Sequence, residues 1–330
     1  MSYSAHTVFG VLPTSDGEIL ATTHCGRVGS AADRSFDLGV VVVHGFSGFR
    51  DKPPVRAVSD GIRPYAGVLT PDLRGHGQSS GVCTFGDLEV LDVDAAVGEA
   101  RRLGYLNVIT VGWSMGAAAV LRHAAFARGG DCVRGYPVRN PVDAVVSVSA
   151  PSRWYVRDTA AMRRLSWLAE TAAGRRIARH ALGVRLMSEI WPMIPASPLD
   201  VAGRIAPTPV LFVHGDRDTY FTLDHPHSLA VASGEHGQLW IIPGFGHAES
   251  GLVPGLLDRI GRHLPDLLVG RGERAGVDRL LPGQPGPDRL VPDQPGPGQP
   301  GPGQPGPDVS ASPRSDRDDT PEIPEFPWLA

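Results

Sequence analysis

The sequence is poor in cysteine, has no long apolar run and carries no large excess of one charge. Its three cysteines, Cys25, Cys83 and Cys132, are widely spaced and form none of the paired patterns of zinc or redox sites. We therefore expect reduced thiols without a chemical role. No stretch reaches the length of a membrane-spanning helix, and Met1 to Asp16 lack a basic segment followed by an apolar one. These absences predict a cytoplasmic protein without membrane insertion.

The charge balance excludes several classes of partner. The chain has 31 lysines and arginines and 35 aspartates and glutamates, a net charge of -4, with both signs interspersed. Neither nucleic acid nor an anionic membrane is favoured electrostatically by such a surface. With 330 residues, of which 42% are hydrophobic, the chain is long enough to bury a large core without metal or disulfide. A small, uncharged or weakly polar substrate fits this composition better.

Short β-branched runs alternate with helical patterns along most of the chain. The apolar run Gly39 to Val43, closed by His44 and Gly45, is typical of a central strand buried on both faces. Similar runs recur at 67–70, 108–111, 144–148, 209–213 and 239–242, and helical patterns cover 87–103, 115–128 and 252–268. This alternation predicts an α/β protein with a mostly parallel, doubly wound sheet. Ahead of it, 8–12 and 19–23 flank the turn signal Ser15-Asp16-Gly17, which indicates an antiparallel edge hairpin.

The alternation stops between Pro151 and Pro207, where tryptophans and arginines recur at helical spacing. We interpret 151–207 as a helical cap inserted into a core formed by 1–150 and 208–270, although an ordinary helical pair packed on the sheet would look alike. The first half of this segment, 151–179, contains seven arginines: Arg153, Arg157, Arg163, Arg164, Arg175, Arg176 and Arg179. They either select an acidic substrate or form one solvated helix face, and the solvated face is the more common case.

The last 60 residues differ in composition from the rest. From Pro282 to Pro307 the chain consists mainly of proline, glycine, glutamine and aspartate, and the spacing of its glycines excludes collagen. Such a segment cannot bury a core, so we expect 271–330 to be a disordered tail. Apolar residues near its end, Ile323, Phe326, Trp328 and Leu329, could dock on a partner protein, but a solvated tail without a partner is the favoured interpretation.

The pattern G-x-S-x-G occurs at the junction of a predicted strand and a predicted helix. Gly112 to Gly116 follow a predicted strand and open a predicted helix, the setting of a nucleophile elbow, in which a strained turn exposes the serine and only small neighbours let the backbone pass. The five-residue pattern alone is common. In this context it predicts that Ser114 is an attacking nucleophile.

A serine hydroxyl needs a base and a group that orients the base. Asp218 follows the strand 209–213, and His247 lies in the loop after the last strand, so the chain order is serine, aspartate, histidine. Asp216 competes with Asp218, and we prefer Asp218 because it falls later in the loop. The loop 149–151 offers no carboxylate.

The oxyanion of an acyl-transfer intermediate needs backbone donors, each worth about 3 to 4 kcal/mol. We expect these donors to be the N–H groups of Met115, directly after the nucleophile, and of Phe46, in the turn after the valine-rich strand, where Gly45 permits an unusual backbone direction.

Together these motifs resemble the α/β-hydrolase superfamily, and particularly its lid-bearing esterases and lipases. The resemblance spans about Val8 to Leu268 and rests on ordered motifs: His44-Gly45, Asp72-Leu73-Arg74-Gly75-His76-Gly77-Gln78-Ser79, the serine elbow, Gly215-Asp216-Arg217-Asp218 and Gly246-His247. It implies that Asp218 is the acid and that Arg74, His76 and His44 are structural. His225 and His227, which flank Pro226 in a polar loop, are interpreted as surface histidines, since no third metal ligand is evident.

The sequence therefore predicts an enzyme that needs no cofactor and no metal. Ester hydrolysis of a small-molecule acyl substrate through an acyl-enzyme on Ser114 is the first hypothesis. Serine aminopeptidases, thioesterases and cofactor-free haloperoxidases share the same residues and stay open as alternatives. A non-enzymatic alternative is a hydrolase-like binding protein that recruits partners through its tail. The presence of every expected catalytic residue weighs against it.

Overall fold

The structure of the protein is a computed structural model that describes residues 7–28, 38–189, 191 and 193–277. Its strands are β1 (Thr7–Pro13), β2 (Ile19–Cys25), β3 (Leu38–Val43), β4 (Gly67–Pro71), β5 (Asn107–Trp113), β6 (Cys132–Val133), β7 (Tyr136–Pro137), β8 (Ala144–Val148), β9 (Val210–Gly215) and β10 (Gly237–Ile242). Its helices are α1 (Pro53–Ile62), α2 (Glu89–Arg102), α3 (Met115–Gly129), α4 (Ala160–Glu170), α5 (Ala172–Ala181), α6 (Pro198–Val201), α7 (Asp224–Ser233) and α8 (Leu256–Val277). Short 3-10 helices cover Ala202–Ile205, Gly234–His236 and Ala248–Gly251.

Eight strands form one sheet in the order β1-β2-β4-β3-β5-β8-β9-β10. Strands β1 and β2 pair antiparallel, and β2 also runs antiparallel to β4. All other pairings in this sheet are parallel. The predicted mostly parallel sheet with an antiparallel edge hairpin is thus confirmed. Because the parallel strands end at the same edge, the loops after β3, β5, β9 and β10 gather there.

Helices cover both faces of the sheet, so its central strands are wholly buried. Along β3, Val41 and Val43 pack into the core layer of helices α2 and α3, whereas Val40 and Val42 pack into the layer of α1 and α8. This alternation follows from the two-residue period of a strand. It confirms the doubly wound arrangement and explains why β3 reads as an uninterrupted apolar run.

The structure differs from the sequence prediction in two places. Helix α8 continues to Val277 and so includes the first seven residues of the predicted tail, 271–277, because these contain no proline and the proline-rich stretch begins only at Pro282. Residues 278–330 of the predicted tail lie outside the described residues. The polar loop predicted around Pro226 is instead helix α7, and His225, predicted to lie at the surface, is fully buried, whereas His227 is exposed. The first turn of a helix tolerates proline, since its N–H groups have no partner within the helix.

The segment between β8 and β9 contains helices α4, α5 and α6. It belongs to the same compact unit as the rest of the described chain. Thr159 and Thr171 cap α4 and α5, each accepting a hydrogen bond from a backbone N–H of the first helical turn. Among the described residues, no helix is long and apolar enough to cross a membrane.

Candidate active site

Ser114 lies on the sharp turn between β5 and α3. Its φ of 51° and ψ of -113° are a strained conformation for a residue with a side chain. A Cβ on Gly116 would approach the Val43 carbonyl oxygen to 2.3 Å, and one on Gly112 would approach the Gly116 carbonyl oxygen to 2.5 Å. Backbone atoms cannot give way as side chains do, so both positions need glycine for close approach. The turn points the serine toward the loops at the sheet edge.

A chain of hydrogen bonds links Ser114 to His247 and Asp218. His247 Nδ1 is 2.8 Å from Asp218 Oδ2, and His247 Nε2 is 2.9 Å from Ser114 Oγ. An ionised carboxylate only accepts, so Nδ1 carries the proton and the lone pair of Nε2 accepts from the serine hydroxyl. This is the tautomer in which a histidine can take a proton from serine.

The surroundings of Asp218 favour its ionised form. Its side chain is 1% exposed, and its Oδ1 accepts the backbone N–H groups of Tyr220 and Phe221 at 2.8 and 3.0 Å. Burial alone would raise the pKa of this carboxyl, but the hydrogen bond and charge of His247, together with the Phe221 N–H, lower the pKa below its ordinary value. Asp216 is exposed and accepts the N–H of Gly244 at 2.7 Å. The structure thus brings Asp218 to His247, and Asp216 points elsewhere.

The two backbone groups expected to hold an oxyanion lie on either side of Ser114. Met115 is the first residue of α3, where an N–H has no partner within the helix. Phe46 lies in the turn after β3, and a Cβ on the preceding Gly45 would come within 3.2 Å of Ser114 Cβ. No described residue accepts a hydrogen bond from either N–H group. Both donors are therefore available to a ligand.

Two buried histidines hold the turn that carries Phe46. The N–H of Leu73 donates to His44 Nε2 at 3.0 Å, and the N–H of Ser47 donates to His76 Nε2 at 3.3 Å. Burial lowers the pKa of His44 and lowers that of His76 to about 3, so both rings are neutral and accept these bonds. Their duty is structural. Arg74 is structural too, since its guanidinium forms ion pairs with the buried Asp92 and the partly buried Asp16.

Sequence reasoning missed two residues beside His247. Glu249, two residues further on, accepts the N–H of Gly45 through Oε1 at 2.7 Å and so ties the loop of His247 to the turn of Phe46. The Tyr220 ring stacks on His247 with ring centroids 4.2 Å apart. Neither contact leaves a pattern in the sequence, because each joins residues far apart in the chain or depends on ring orientation.

His225 lies near this region and is bonded within the fold. The N–H of Ser152 donates to His225 Nδ1 at 2.9 Å. Burial, followed by the charge of Arg153, lowers the pKa of His225 to about 4, so the ring is neutral. Within the described ranges, no group of three or more His, Cys, Asp or Glu residues could hold a metal ion.

An apolar cavity of about 120 Å³ opens beside Ser114. Phe46, Phe85 and Met115 line it from the core. The segment between β8 and β9 supplies much of the remaining wall, including Trp154, Leu165, Ala169 and Trp191. The Trp191 indole donates to the Thr84 carbonyl oxygen at 2.8 Å, and the Trp154 indole to the Pro195 carbonyl oxygen at 2.7 Å. Both indole N–H groups are satisfied, so the rings present an apolar surface.

Comparison with known proteins gives one family. A model of the alpha/beta hydrolase family matches residues 40–254, which include Phe46, Ser114, Asp218 and His247. No protein in a search of curated sequences matches the chain.

Several solved structures are similar in fold. The Pyrococcus furiosus esterase Pf2001 is 20% identical, with a TM-score of 0.59 over 80% of this chain and 93% of that chain. The alpha/beta hydrolase GrgF from Penicillium sp. sh18 is 18% identical, with a TM-score of 0.57 over 81% of this chain and 99% of that chain. The hypothetical protein PA2218 from Pseudomonas aeruginosa is also 18% identical, with a TM-score of 0.55 over 81% and 95%. At these identities the likeness is one of fold.

Proposed function

This chain belongs to the alpha/beta hydrolase family, and on that premise we propose that it is a serine hydrolase that cleaves a carboxylic ester of a small molecule through an acyl-enzyme on Ser114. The observation that carries the proposal is the hydrogen-bonded chain from Asp218 through His247 to Ser114. It ends at the wall of an apolar cavity. The proposed reaction needs no cofactor, because the three side chains supply nucleophile, base and orienting group.

In the first half of the proposed reaction, Ser114 Oγ attacks the ester carbonyl while His247 Nε2 takes its proton. The negative charge on the carbonyl oxygen is held by the N–H groups of Phe46 and Met115. Asp218 stabilises the imidazolium and keeps Nδ1 protonated. His247 then gives its proton to the leaving alcohol. In the second half a water attacks the acyl group, with His247 as base, and Ser114 is released.

The cavity suggests which acyl groups fit. At about 120 Å³ it is close to the size of an apolar cavity of about 150 Å³ that holds one benzene molecule. Its lining is mostly aromatic and aliphatic, which favours an uncharged acyl group. We therefore propose a short acyl chain or a single aromatic ring as the preferred acyl part. We also propose that 151–207 act as a lid, since α4 forms part of the cavity wall.

Steady-state hydrolysis tests this function. Purified protein is assayed with p-nitrophenyl acetate, butyrate, octanoate and palmitate, an acyl thioester and an aminoacyl nitroanilide. We expect the highest kcat/KM on butyrate or its neighbours and a loss of at least about 10³-fold in Ser114→Ala. Retention of turnover by Ser114→Ala would contradict the proposal. A wild-type chain that cleaves none of the substrates would favour the binding-protein alternative, and preference for the thioester or nitroanilide would redirect the substrate class.

A further inference from the structure

A second cavity, of about 370 Å³, lies beside α5 and shares no lining residue with the cavity at Ser114. Five basic side chains line it: Arg175, Arg176, Arg179, His180 and Arg185. The first four lie on α5, and Arg185 follows it in the chain. We call the cavity that these five residues line the basic cavity. Three of them, Arg175, Arg176 and Arg179, belong to the arginines for which the sequence left two interpretations open: selection of an acidic substrate or a solvated helix face.

The positive charge of the basic cavity is not neutralised by the part of the protein that the structure describes. Among the described residues, no acidic side chain lines it and none forms a salt bridge with any of its four arginines. Other arginines of the same segment differ, because Arg153 pairs with Asp224 and Arg157 with Glu170. Like charges gathered within a Debye length repel one another, and a bound anion would relieve that repulsion.

Two of the arginines are held in place by the backbone. Arg185 donates through Nε to the Gly81 carbonyl oxygen at 3.1 Å and through Nη2 to the Ser79 carbonyl oxygen. Arg175 donates through Nη1 to the Ala169 carbonyl oxygen at 3.0 Å. Each guanidinium has five N–H donors, so both keep donors free after these bonds. Because these two guanidinium groups are already held in place, less side-chain conformational entropy is lost when an anion binds.

Arg176 and Arg179, both exposed, complete the cavity from the face of α5. They are three residues apart and therefore neighbours on one side of the helix. Guanidinium groups bind phosphate oxygens in a bidentate manner and stay charged at any physiological pH. Four of them around one cavity match a ligand of two or more negative charges better than a single carboxylate.

We propose that the basic cavity binds a phosphate-type polyanion, that is, a phosphate or diphosphate group. The same chemistry is supplied by a free phosphate compound or by a phosphate group on the ester substrate. The binding itself does not depend on the ester chemistry proposed for Ser114. An apolar cavity takes the acyl group in one place, and the basic cavity holds an anionic group in another.

Calorimetric titration with inorganic pyrophosphate in about 0.15 M salt tests the proposal. The variant is Arg176→Gln/Arg179→Gln, whose two positions are exposed, so folding should be kept. The matched control is Arg56→Gln/Arg128→Gln, which removes two exposed arginines outside the segment. We expect saturable binding by the wild type and control, and at least about tenfold weaker binding by the variant. No saturable binding, or equal binding by all three proteins, would overturn the proposal.

Kinetics separate the two sources of the phosphate. If the substrate carries it, the variant raises KM for an ester with a phosphorylated alcohol but not for p-nitrophenyl butyrate, and pyrophosphate competes only with the phosphorylated ester. If the ligand is free, pyrophosphate changes the turnover of p-nitrophenyl butyrate or raises the unfolding temperature of the wild type, and the variant removes that effect. The titration and the unfolding temperature need no turnover, so failure of the ester proposal would leave this test intact.

Discussion

The turn under Ser114 and the segment between β8 and β9 are built in opposite ways. Around the turn, Gly112 and Gly116 pack against backbone atoms, and His44 and His76 are buried and bonded. In α4 and α5 only four residues are buried: Leu168, Ala169, Gly174 and Ala178. Under the proposed function, the rigid core would fix the positions of the reacting atoms, and the segment that lines the cavity would select the acyl group. Changes in the core should lower kcat, and changes in the segment should alter substrate preference.

The largest expected effect separates two aspartates of one loop. Asp218→Asn removes the group that keeps His247 in its reactive tautomer, and we expect kcat to fall by about 10³ to 10⁴-fold. Asp216→Asn, two residues away and exposed, should change kcat by less than about twofold. The measurement is the hydrolysis of p-nitrophenyl butyrate by both variants. The reverse ranking would assign the acid to Asp216.

Substitution of Glu249 tests whether the hydrogen bond from the Gly45 N–H to this side chain is needed to position the turn of Phe46. Glu249→Ala removes the acceptor for the Gly45 N–H, so the turn should move relative to Ser114. We expect kcat to fall about tenfold to a hundredfold with little change in KM, because only the transition state uses the oxyanion donors. Glu249→Gln keeps an acceptor oxygen and should restore most of the activity. Failure of this rescue, or a change in KM alone, would argue against a positioning role.

A change in the segment should alter preference rather than rate. Leu165→Ala enlarges the cavity by several carbon atoms, each worth about 0.8 kcal/mol when buried. The ratio of kcat/KM for p-nitrophenyl octanoate to that for the acetate should rise about tenfold, with kcat on the acetate unchanged. Leu103→Ala, at an exposed leucine far along the chain, is the control. An unchanged ratio would show that the acyl group binds elsewhere.

The smallest expected effect concerns pH and His225 beneath the segment. Its pKa of about 4 lies below the ordinary value of 6.5, so the unfolded chain binds the proton more tightly than the folded chain does. Its contribution to the free energy of unfolding is therefore complete above pH 6.5 and is lost as pH falls from 6.5 toward 4. We expect the wild type to lose about 1 to 2 kcal/mol more than His225→Asn between pH 8 and pH 5.

Urea unfolding at the two pH values measures this difference. Asparagine can still accept the Ser152 N–H but does not titrate. His227→Asn, at the exposed neighbour on the same helix, should behave as the wild type does. Equal pH dependence in all three proteins would contradict the assignment.

Elements that rest on local patterns could be predicted from sequence. Strand β3 could be predicted because burial on both faces restricts it to apolar residues. The turn at Ser114 could be predicted because the close approach of backbone segments requires glycine at fixed positions. Helix α7 was not predicted because Pro226 in a polar stretch usually indicates a loop, although a proline in the first turn of a helix costs little stability. Glu249 was not predicted because its partner Gly45 lies 204 residues away in the chain. The basic cavity was not predicted because the spacing of arginines on a helix does not tell whether their side chains line a cavity or face open solvent.

Reaction with a fluorophosphonate probe tests the central claim most directly, since such a probe phosphonylates an activated serine. Intact mass and peptide mapping should show one adduct per chain, on Ser114, absent in Ser114→Ala and formed much more slowly in His247→Ala. An adduct on another serine, or none on folded wild-type protein, would contradict the claim that Asp218 and His247 activate Ser114 as a nucleophile.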